Sequence, residues 1–462
     1  MREGLHKIVS SDETIVAIST PLGRSGIGVV RLSGNDAIRI AGRFFRSNST
    51  NSSLEHRTTE VGRWTSVAGE EIDEVVVTLF RQPRSYTGED VIEISAHGNP
   101  LVLGRIVETA RALGARLAMP GEFTLRAVAH GKMDLTQAEA VREFIDAQTE
   151  QQAKTALRQM DGSVSRRIRP VKNKLVDVIA RLEAGIDFAE DDVDIPENAT
   201  IVGTIQSLAT ELVNLKETFG YGRILAEGLR VAILGKPNVG KSSLFNRLVA
   251  ADRAIVTEIP GTTRDVLMET VSMDGVPLRF ADTAGVHDTT DVVERIGVIR
   301  TLETLSDADM ALIVVDGSCA LDSDDRQVLA KVQVVAHLVV VNKSDLTRGI
   351  ELSSLNGSPT VHVSAKTGEG LEALREAIRA FLLEQKTDLA DDLILTSARQ
   401  HEALVAAVSS LHASSSALSR HVPHEMALLD LYQALSSLDE LSGEVVTDDI
   451  LDRIFSTFCI GK

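Results

Sequence analysis

The sequence predicts a multidomain protein with an amino-terminal α+β domain, a helical domain, and a doubly wound α/β domain inserted into the helical one. The length of 462 residues suits two to four domains, each able to bury its own core. Hydrophobic runs between residues 231 and 363 end in polar loops, whereas stretches with helical periodicity flank that region. The predicted domains are residues 1–130, residues 131–222 together with 386–462, and the inserted residues 223–385.

The amino-terminal domain is predicted from short apolar runs at residues 14–19, 28–32, 74–80 and 91–95. Glycine-rich turns and helical stretches separate these runs. Strands and helices that are mixed in this way favour an α+β or α/β arrangement.

The helical domain is predicted from an alanine-rich, periodic stretch at residues 136–182, with a break at Asp161-Gly162. After an acidic loop at residues 190–196, a further helical segment should reach about Phe219, and Gly220-Tyr221-Gly222 predicts a hinge. More helices are expected at residues 396–418, 425–441 and 447–458. Both ends of the inserted domain would then join the same helical domain. Ordering of a switch segment in the inserted domain could therefore be transmitted directly to those helices.

A phosphate-binding loop is the first functional signal. Residues 235–242 read Gly-Lys-Pro-Asn-Val-Gly-Lys-Ser and follow an apolar run at 231–234 that predicts a strand. Glycines let backbone N–H groups surround phosphate oxygens, Lys241 offsets negative charge, and the Ser242 hydroxyl can bind magnesium. By itself the pattern also fits a plain glycine-rich turn between a strand and a helix.

Motifs at the ends of later predicted strands complete a nucleotide site. Asp282-Thr283-Ala284-Gly285 places an acid near hydrated magnesium and a glycine N–H near a γ-phosphate. In Asn342-Lys343-Ser344-Asp345, the Asp345 carboxylate can accept two hydrogen bonds from guanine, whereas adenine has no such donor pair. Ser364-Ala365-Lys366 can supply a backbone amide for guanine O6. In this order the motifs resemble the G domain of P-loop GTPases.

The segment 257–265 between these motifs is polar and switch-like, and Thr263 could bind magnesium there when a γ-phosphate is present. After Gly285, where many small GTPases carry a water-orienting glutamine, this chain has Val286 and His287. Arg264 is no compelling arginine finger, because a solvent-facing structural role explains it equally well. Another group, such as an additional cation, should therefore assist hydrolysis.

The sequence as a whole resembles the MnmE (TrmE) family of tRNA modification GTPases. The residues that carry the resemblance are the loop at 235–242, Gly-Thr-Thr-Arg-Asp at 261–265, Asp-Thr-Ala-Gly at 282–285 with Val-Glu-Arg-Ile-Gly at 293–297, and Phe-Cys-Ile-Gly-Lys at 458–462. This resemblance runs essentially from end to end. It implies a potassium-stimulated GTPase whose G domains dimerise across the nucleotides, with the ion in place of an arginine finger.

The resemblance also implies the roles of individual residues. Potassium would be bound by Asn238, Thr257, Ile259 and Thr262, magnesium by Ser242 and Thr263, and Glu294 would orient the attacking water through an intermediate. The implied nucleotide-binding set is Asn238, Val239, Gly240, Lys241, Ser242, Ser243, Thr257, Glu258, Ile259, Pro260, Gly261, Thr262, Thr263, Asp282, Thr283, Ala284, Gly285, Asn342, Lys343, Asp345, Ser364, Ala365 and Lys366.

The family resemblance further implies modification of the wobble uridine of certain tRNAs at C5, with a carboxymethylaminomethyl or aminomethyl group. The implied partners are tRNA, a second copy of the chain, and the flavin-containing protein MnmG (GidA) in a heterotetramer or larger complex. A reduced folate, 5-formyl- or methylene-tetrahydrofolate, would carry the one-carbon unit. Its matching positions are Arg31, Glu93, Lys132 and Lys462; without the resemblance, the first three would be ordinary surface charges and a strand residue.

The two cysteines, Cys319 and Cys459, cannot form a metal cluster or a disulfide framework. Cys459 does not fit a prenylation pattern, because the final residue is lysine. Without the resemblance it would be an incidental thiol on a frayed tail. With it, Cys459 becomes a candidate nucleophile or redox group, on a tail that folds back toward the folate pocket.

Charge and hydropathy limit the partners. A net charge of −18 opposes non-specific binding to polyanions, so contact with tRNA should be local or shared with a partner. Basic residues cluster around Pro170, and such a run is more often a solvated face paired with carboxylates than an RNA surface; they are Arg166, Arg167, Arg169, Lys172 and Lys174. The sequence shows neither a bilayer-spanning apolar run nor a signal-like start, which predicts a cytoplasmic protein without a membrane partner.

A regulatory or ribosome-assembly GTPase, which performs no modification chemistry, is the alternative function. Such a protein would need neither Cys459 nor Lys462 nor the folate positions. Binding of a reduced folate therefore separates the two interpretations.

Overall fold

The structure of the protein is a computed structural model. It describes residues 13–48, 58–187, 198–251, 270–280, 307–332, 335–351, 355, 357–386, 394–420, 422–445 and 447–462. The chain divides into two compact units. The first unit comprises residues 1–142, 159–209 and 406–462, and the second comprises residues 143–158 and 210–405.

The strands, in chain order, are β1 (Ile15–Ile18), β2 (Ser25–Ser33), β3 (Phe45–Ser47), β4 (Thr59–Thr65), β5 (Glu71–Phe80), β6 (Val91–Gly98), β7 (Arg116–Leu117), β8 (Leu229–Leu234), β9 (Thr270–Met273), β10 (Val276–Phe280), β11 (Met310–Asp316), β12 (His337–Asn342) and β13 (Thr360–His362). The helices are α1 (Ala37–Phe44), α2 (Pro100–Ala112), α3 (Glu122–Ala129), α4 (Leu135–Asp146), α5 (Glu150–Met160), α6 (Ser163–Asp187), α7 (Asn198–Glu217), α8 (Phe219–Glu227), α9 (Lys241–Ala251), α10 (Ser323–Lys331), α11 (Leu371–Glu384), α12 (Ala398–Ser419), α13 (His424–Ser442) and α14 (Asp448–Phe455). None of the helices in the described part of the chain is long and apolar enough to cross a membrane.

The first unit contains a sheet in the order β3-β4-β5-β6-β2-β1-β7. Neighbouring strands are antiparallel except for the parallel pair β1–β7. In β5, the buried residues Val75, Val77 and Leu79 alternate with more exposed ones, so one face of the strand enters the core. Helices α1 and α2 pack on this face, and Trp64 lies fully buried in the same cluster.

The helical part of the first unit packs around a smaller apolar cluster. Leu135 and Val141 of α4 meet Leu451 and Phe455 of α14, and Phe458 of the carboxyl-terminal tail joins them. Residues more than 300 positions apart in the sequence thus share one core. The tail is held there because its phenylalanine ring is removed from water.

The second unit contains a sheet in the order β13-β12-β11-β8-β10-β9, parallel except for the β9–β10 hairpin. Along β11, Leu312 and Val314 point into one apolar cluster, whereas Ala311 and Ile313 point into another. Both faces of the sheet are therefore covered, as in a doubly wound α/β fold. The fold class predicted for the inserted region is confirmed.

Several predicted elements are confirmed and one is wrong. The break at Asp161-Gly162 separates α5 from α6, and Gly162 has a φ of +78°. The predicted hinge at residues 220–222 is instead part of α8. Gly222 is required there by close packing, because a Cβ atom would lie 1.9 Å from the Leu395 carbonyl oxygen. The segment β3–β4 was not predicted, and the acidic loop at 190–196 lies outside the described residues. The four domain ranges remain predictions.

Candidate nucleotide site and a second site in the amino-terminal sheet

The phosphate-binding loop lies at the carboxyl end of β8, between this strand and the start of α9. Strands β8, β11 and β12 are parallel neighbours, so the residues at their carboxyl ends reach the same edge of the sheet. These residues are Gly235 after β8, Asp316 at the end of β11 and Lys343 after β12. This edge is where ligands bind in open parallel sheets.

Two glycines of the loop are required by its geometry. Gly235 has a φ of +143°, and a Cβ atom there would lie 2.2 Å from the Val314 carbonyl oxygen. Gly240 has a φ of +97°, and its Cβ would lie 2.2 Å from Nδ2 of Asn342. Between them Asn238 has a φ of +66°, a left-handed conformation that asparagine adopts more easily than most residues. The loop is therefore a main-chain structure with no room for side chains at its ends.

The ammonium group of Lys241 lies inside the loop. Its Nζ donates to the carbonyl oxygens of Gly235 and Lys236, at 2.8 and 2.7 Å. Burial lowers the pKa of Lys241, since desolvation disfavours the charged form. Among the described residues, the Lys241 ammonium contacts carbonyl oxygens and no carboxylate. An anion such as a phosphate group fits this cradle.

Asn342 joins the two ends of the site. Its Nδ2 donates to the Val239 carbonyl oxygen at 2.7 Å, and its Oδ1 accepts from the Ala365 N–H at 2.9 Å. The side chain belongs to a residue that is only 2% exposed. A buried amide with both ends satisfied fixes the phosphate loop relative to the loop at residues 364–366.

The residue predicted to select guanine is positioned at the protein surface. Asp345 is exposed, and its Oδ1 accepts a hydrogen bond of 2.7 Å from the hydroxyl of buried Ser364. Ser364 Oγ also accepts from the Thr367 N–H at 3.1 Å, which fixes its orientation. The carboxylate is thus held in place by a side chain from the neighbouring motif while it remains accessible to a base.

Nearby ion pairs complete the rim of the site and were not predicted from the sequence. Lys343, with a φ of +64°, donates to Asp316 at 2.6 Å. Burial alone would raise the pKa of Asp316, but Lys343 and Ser318 outweigh burial and lower it. Lys236 pairs with Asp322 and Asp325 at the start of α10, and hydrogen bonds from Lys236 lower the pKa of Asp322 to about 2. In the sequence, Asp316 at the end of a strand-like apolar run is the one signal that could have indicated these pairs.

Many predicted nucleotide and metal positions lie outside the described residues. They are Thr257, Glu258, Ile259, Pro260, Gly261, Thr262, Thr263, Asp282, Thr283, Ala284, Gly285 and Glu294. Of the potassium set, the structure describes Asn238, and of the magnesium set it describes Ser242 in the first turn of α9. Ser243 is exposed in the same turn, and Lys366 offers its carbonyl oxygen to Arg247 at 2.7 Å.

The amino-terminal sheet brings two of the predicted folate positions together. Arg31 on β2 and Glu93 on β6 are directly opposed in the antiparallel register. Arg31 donates to Glu93 Oε1 from Nε at 3.0 Å and from Nη2 at 2.7 Å. The guanidinium group also lies 5.6 Å from the ring centroids of both Tyr86 and Phe123. Burial raises the pKa of Tyr86.

The carboxyl-terminal tail approaches the same sheet. Cys459 offers its carbonyl oxygen to the Gly121 N–H at 3.5 Å, and its side chain is exposed. Gly461 has a φ of +96°, and a Cβ there would lie 2.3 Å from the Ile18 carbonyl oxygen. Ile18 lies opposite Val30, the residue before Arg31. The tail therefore returns to this domain, with Lys462 at its end, and its approach to a folate pocket remains a prediction.

Lys132 is placed differently from the Arg31–Glu93 pair. Its Nζ donates to the Pro83 carbonyl oxygen at 3.0 Å, and the residue is exposed. The structure shows no contact of Lys132 with Arg31 or Glu93 among the described residues. Its part in a folate site remains a prediction.

Comparison with known proteins decides the family. The family model for the MnmE helical domain matches residues 135–459, and the model for the GTP-binding protein TrmE N-terminus matches residues 14–132. The tRNA modification GTPase MnmE of Koribacter versatilis is 48% identical over 455 residues, covering 98% of this chain and 99% of that protein. This chain belongs to the MnmE family of tRNA modification GTPases. The MnmE proteins of Aquifex aeolicus and Geobacter sulfurreducens are 42% and 43% identical, over 97% and 98% of this chain and 100% and 99% of their own lengths.

Membership in the MnmE family confirms the resemblance found in the sequence and the multidomain fold class. The matches extend through both compact units.

Proposed function

We propose that this chain binds and hydrolyses GTP and uses that reaction in the modification of tRNA. The observation that carries the proposal is the main-chain cradle at residues 235–240 around the half-buried ammonium of Lys241. The rigid link through Asn342 to the Asp345 loop supports a guanine nucleotide that spans both ends. The relatives that match over the full chain are named tRNA modification GTPases.

The described residues divide the work of binding between them. Lys241 would move from the loop carbonyls to phosphate oxygens, and the start of α9 would add its backbone N–H groups and helix dipole. Ser242 supplies a hydroxyl for magnesium, which when bound offsets the charge that develops on the phosphates. Asp345, held by Ser364, would accept the two guanine donors.

We propose potassium and dimerisation of the G domains as the means of activation. Asn238 supports this part because it is exposed at the outer turn of the loop, where an ion and a second molecule can reach it. The remaining ligands would come from Thr257, Ile259 and Thr262, with Glu294 orienting water. GTP hydrolysis by the purified chain should rise strongly when sodium is replaced by potassium. Equal rates in the two salts would remove potassium from the mechanism.

We propose that the amino-terminal site holds a reduced folate. The Arg31–Glu93 pair places charge beside the aromatic rings of Tyr86 and Phe123, and Gly461 packs the end of the tail against the same sheet. With MnmG as the flavin-containing partner, the folate would supply the one-carbon unit for the wobble uridine. The Cys459→Ser variant should keep its GTPase activity and lose tRNA modification. Full modification by this variant would return Cys459 to an incidental role.

The whole proposal is tested by nucleoside analysis of tRNA from cells that lack this chain. The expected result is loss of the C5 modification of wobble uridine, restored by the wild-type gene and not by a Lys241→Ala variant. Normal wobble uridine in the deleted cells would favour the regulatory or ribosome-assembly GTPase. A purified chain without measurable affinity for 5-formyltetrahydrofolate would point in the same direction.

A further inference from the structure

Helix α6 carries a basic stripe that the nucleotide and folate sites do not use. The helix contains six basic residues and three acidic ones, in a chain whose net charge is −18. Arg167, Lys174 and Arg181 are spaced by seven residues, which is close to two helical turns. All three are exposed, and they lie on one side of the helix over a length of about 20 Å.

The buried face of α6 shows where this stripe points. Val164, Ile168, Val171, Leu175 and Leu182 are buried and fix the inner side of the helix. Lys172 lies on the flank toward α13, where it pairs with Asp439 and Glu444 at 2.5 Å each. The expectation that basic residues here are paired with carboxylates is therefore confirmed for Lys172.

The opposite flank of α6 forms a groove with α7. A cavity of about 250 Å³ lies there, lined by Lys174, Asp177, Val178, Arg181, Thr200, Ile201 and Thr204. Two basic side chains, one carboxylate and two threonines thus surround it. Cationic groups and threonine hydroxyls are usual contacts of nucleic-acid phosphates, because they supply positive charge and hydrogen-bond donors, and such contacts do not depend on the base.

We infer that the stripe of Arg167, Lys174 and Arg181, with the groove between α6 and α7, is the surface where this chain meets the phosphate backbone of tRNA. The inference rests on the proposed function, in which tRNA is the substrate. A stripe of three charges on a strongly acidic protein gives local contact without general affinity for polyanions. The Thr200 hydroxyl would donate to a phosphate oxygen beside Arg181 and Lys174, whereas the Thr204 hydroxyl already donates to the Thr200 carbonyl oxygen at 3.0 Å.

The test is the salt dependence of binding between the full-length chain and bulk tRNA, measured by fluorescence anisotropy from about 50 to about 200 mM KCl. In the variant Arg167→Gln, Lys174→Gln, Arg181→Gln, the slope of log affinity against log salt should fall by about three, roughly one per contact removed. Affinity at the lowest salt should fall about tenfold or more. The variant Arg167→Lys, Arg181→Lys keeps the charges and should keep the slope.

Lys172→Gln is the matched control, since it removes the same charge from the other flank of the same helix. Arg420→Gln removes an exposed charge from the turn that follows α12. Both should leave the slope unchanged. GTP hydrolysis without tRNA should be equal in all variants, because none of these residues lies in the nucleotide site.

An unchanged slope in the triple variant would overturn the inference, as would wild-type protein with no affinity for tRNA at the lowest salt. If the triple variant binds tRNA normally but loses association with a protein partner, the stripe is a protein-docking surface and the inference is wrong. Failure of the proposed function gives a different result. If the proposed function is wrong, tRNA from cells lacking the chain carries its normal wobble modification.

Discussion

The nucleotide site of the second unit is built from the main chain, whereas the Arg31 site of the first unit is built from side chains. At Gly235 and Gly240, positive φ angles and close neighbours leave no space for a Cβ atom. Arg31 and Glu93 instead occupy ordinary strand positions that many residue pairs could fill. A main-chain site should therefore fail completely on a small change, and a side-chain site should fail by degrees.

The largest effect is expected for Gly240→Ala. The new Cβ would lie against Asn342 Nδ2 in a conformation that costs about 1–2 kcal/mol for a non-glycine residue. Displacement of Asn342 would also break its bonds to Val239 and Ala365. GTP binding, measured by calorimetry, should fall below detection.

Gly203→Ala in α7 is the control for this substitution, because nothing lies within 4 Å of the Cβ position and the residue is helical. Removing a helical glycine should stabilise the protein by about 0.5–1 kcal/mol and leave GTP binding unchanged. GTP affinity of wild-type strength in Gly240→Ala would show that the loop can adapt. The contrast between the two sites would then disappear.

Asp345→Asn should have the next largest effect. Asparagine can accept only one of the two guanine hydrogen bonds, and hydrogen bonds to charged groups contribute about 1.5–3 kcal/mol each. GTP affinity should fall about 100-fold, and preference should shift toward xanthosine nucleotides. Competition between GTP and XTP measures this shift, and unchanged selectivity would remove Asp345 from base recognition.

Ser364→Ala separates the effect of positioning the Asp345 carboxylate from the effect of the carboxylate itself. It removes the 2.7 Å bond that holds Asp345 but keeps the carboxylate itself. GTP affinity should fall several-fold, without any change in preference between GTP and XTP. A shift toward XTP in this variant would contradict the assignment of base recognition to the carboxylate.

Arg31→Ala should have an intermediate effect that is confined to the first unit. It removes the partner of Glu93 and the cation between Tyr86 and Phe123. Affinity for 5-formyltetrahydrofolate should fall about tenfold, which is the loss of about 1.4 kcal/mol expected for one charged contact. GTP hydrolysis should not change.

Arg63→Ala is the matched control, because Arg63 and Glu71 form an arginine–glutamate pair at 2.5 Å in the same sheet. This pair is exposed, and exposed pairs contribute about 0–1 kcal/mol. Folate affinity should therefore stay at the wild-type level in Arg63→Ala. Equal losses in the two variants would mean that Arg31 acts only through the sheet.

The smallest effect is expected for Gly461→Ala. At Gly461 the side-chain site depends on a main-chain feature, the positive φ of this residue. A Cβ would lie 2.3 Å from the Ile18 carbonyl oxygen, so the end of the tail should detach while Phe458 stays buried. Folate affinity should fall a few-fold by the same binding assay. A loss as great as that of Arg31→Ala would show that the tail contributes more than its end.

The two sites also differ in what could be predicted from sequence. The phosphate loop follows from Gly235, Gly240 and Lys241, because the spacing of glycines records a backbone requirement directly. Asp345 follows from the hydrogen-bonding pattern of guanine. No such rule marks Arg31 and Glu93, which are 62 positions apart, and only the family resemblance selected them.

Where local sequence reasoning failed, tertiary packing was the reason. Gly220-Tyr221-Gly222 looks like a hinge because glycine usually marks flexible turns. In the structure Gly222 is a contact point against Leu395, 173 positions later, and the helix continues through it. Lys236 shows the same limit, since its partners Asp322 and Asp325 come from a distant helix.

Asn342 occupies a position that should accept no substitute among the other nineteen amino acids. Its amide Nδ2 donates a hydrogen bond to the Val239 carbonyl oxygen, and its Oδ1 accepts one from the Ala365 N–H. Aspartate has no N–H to donate to Val239, glutamine is one methylene too long for the same two partners, and serine is too short to reach both loops. A library of all twenty residues at this codon, scored for tRNA modification, should therefore return asparagine alone.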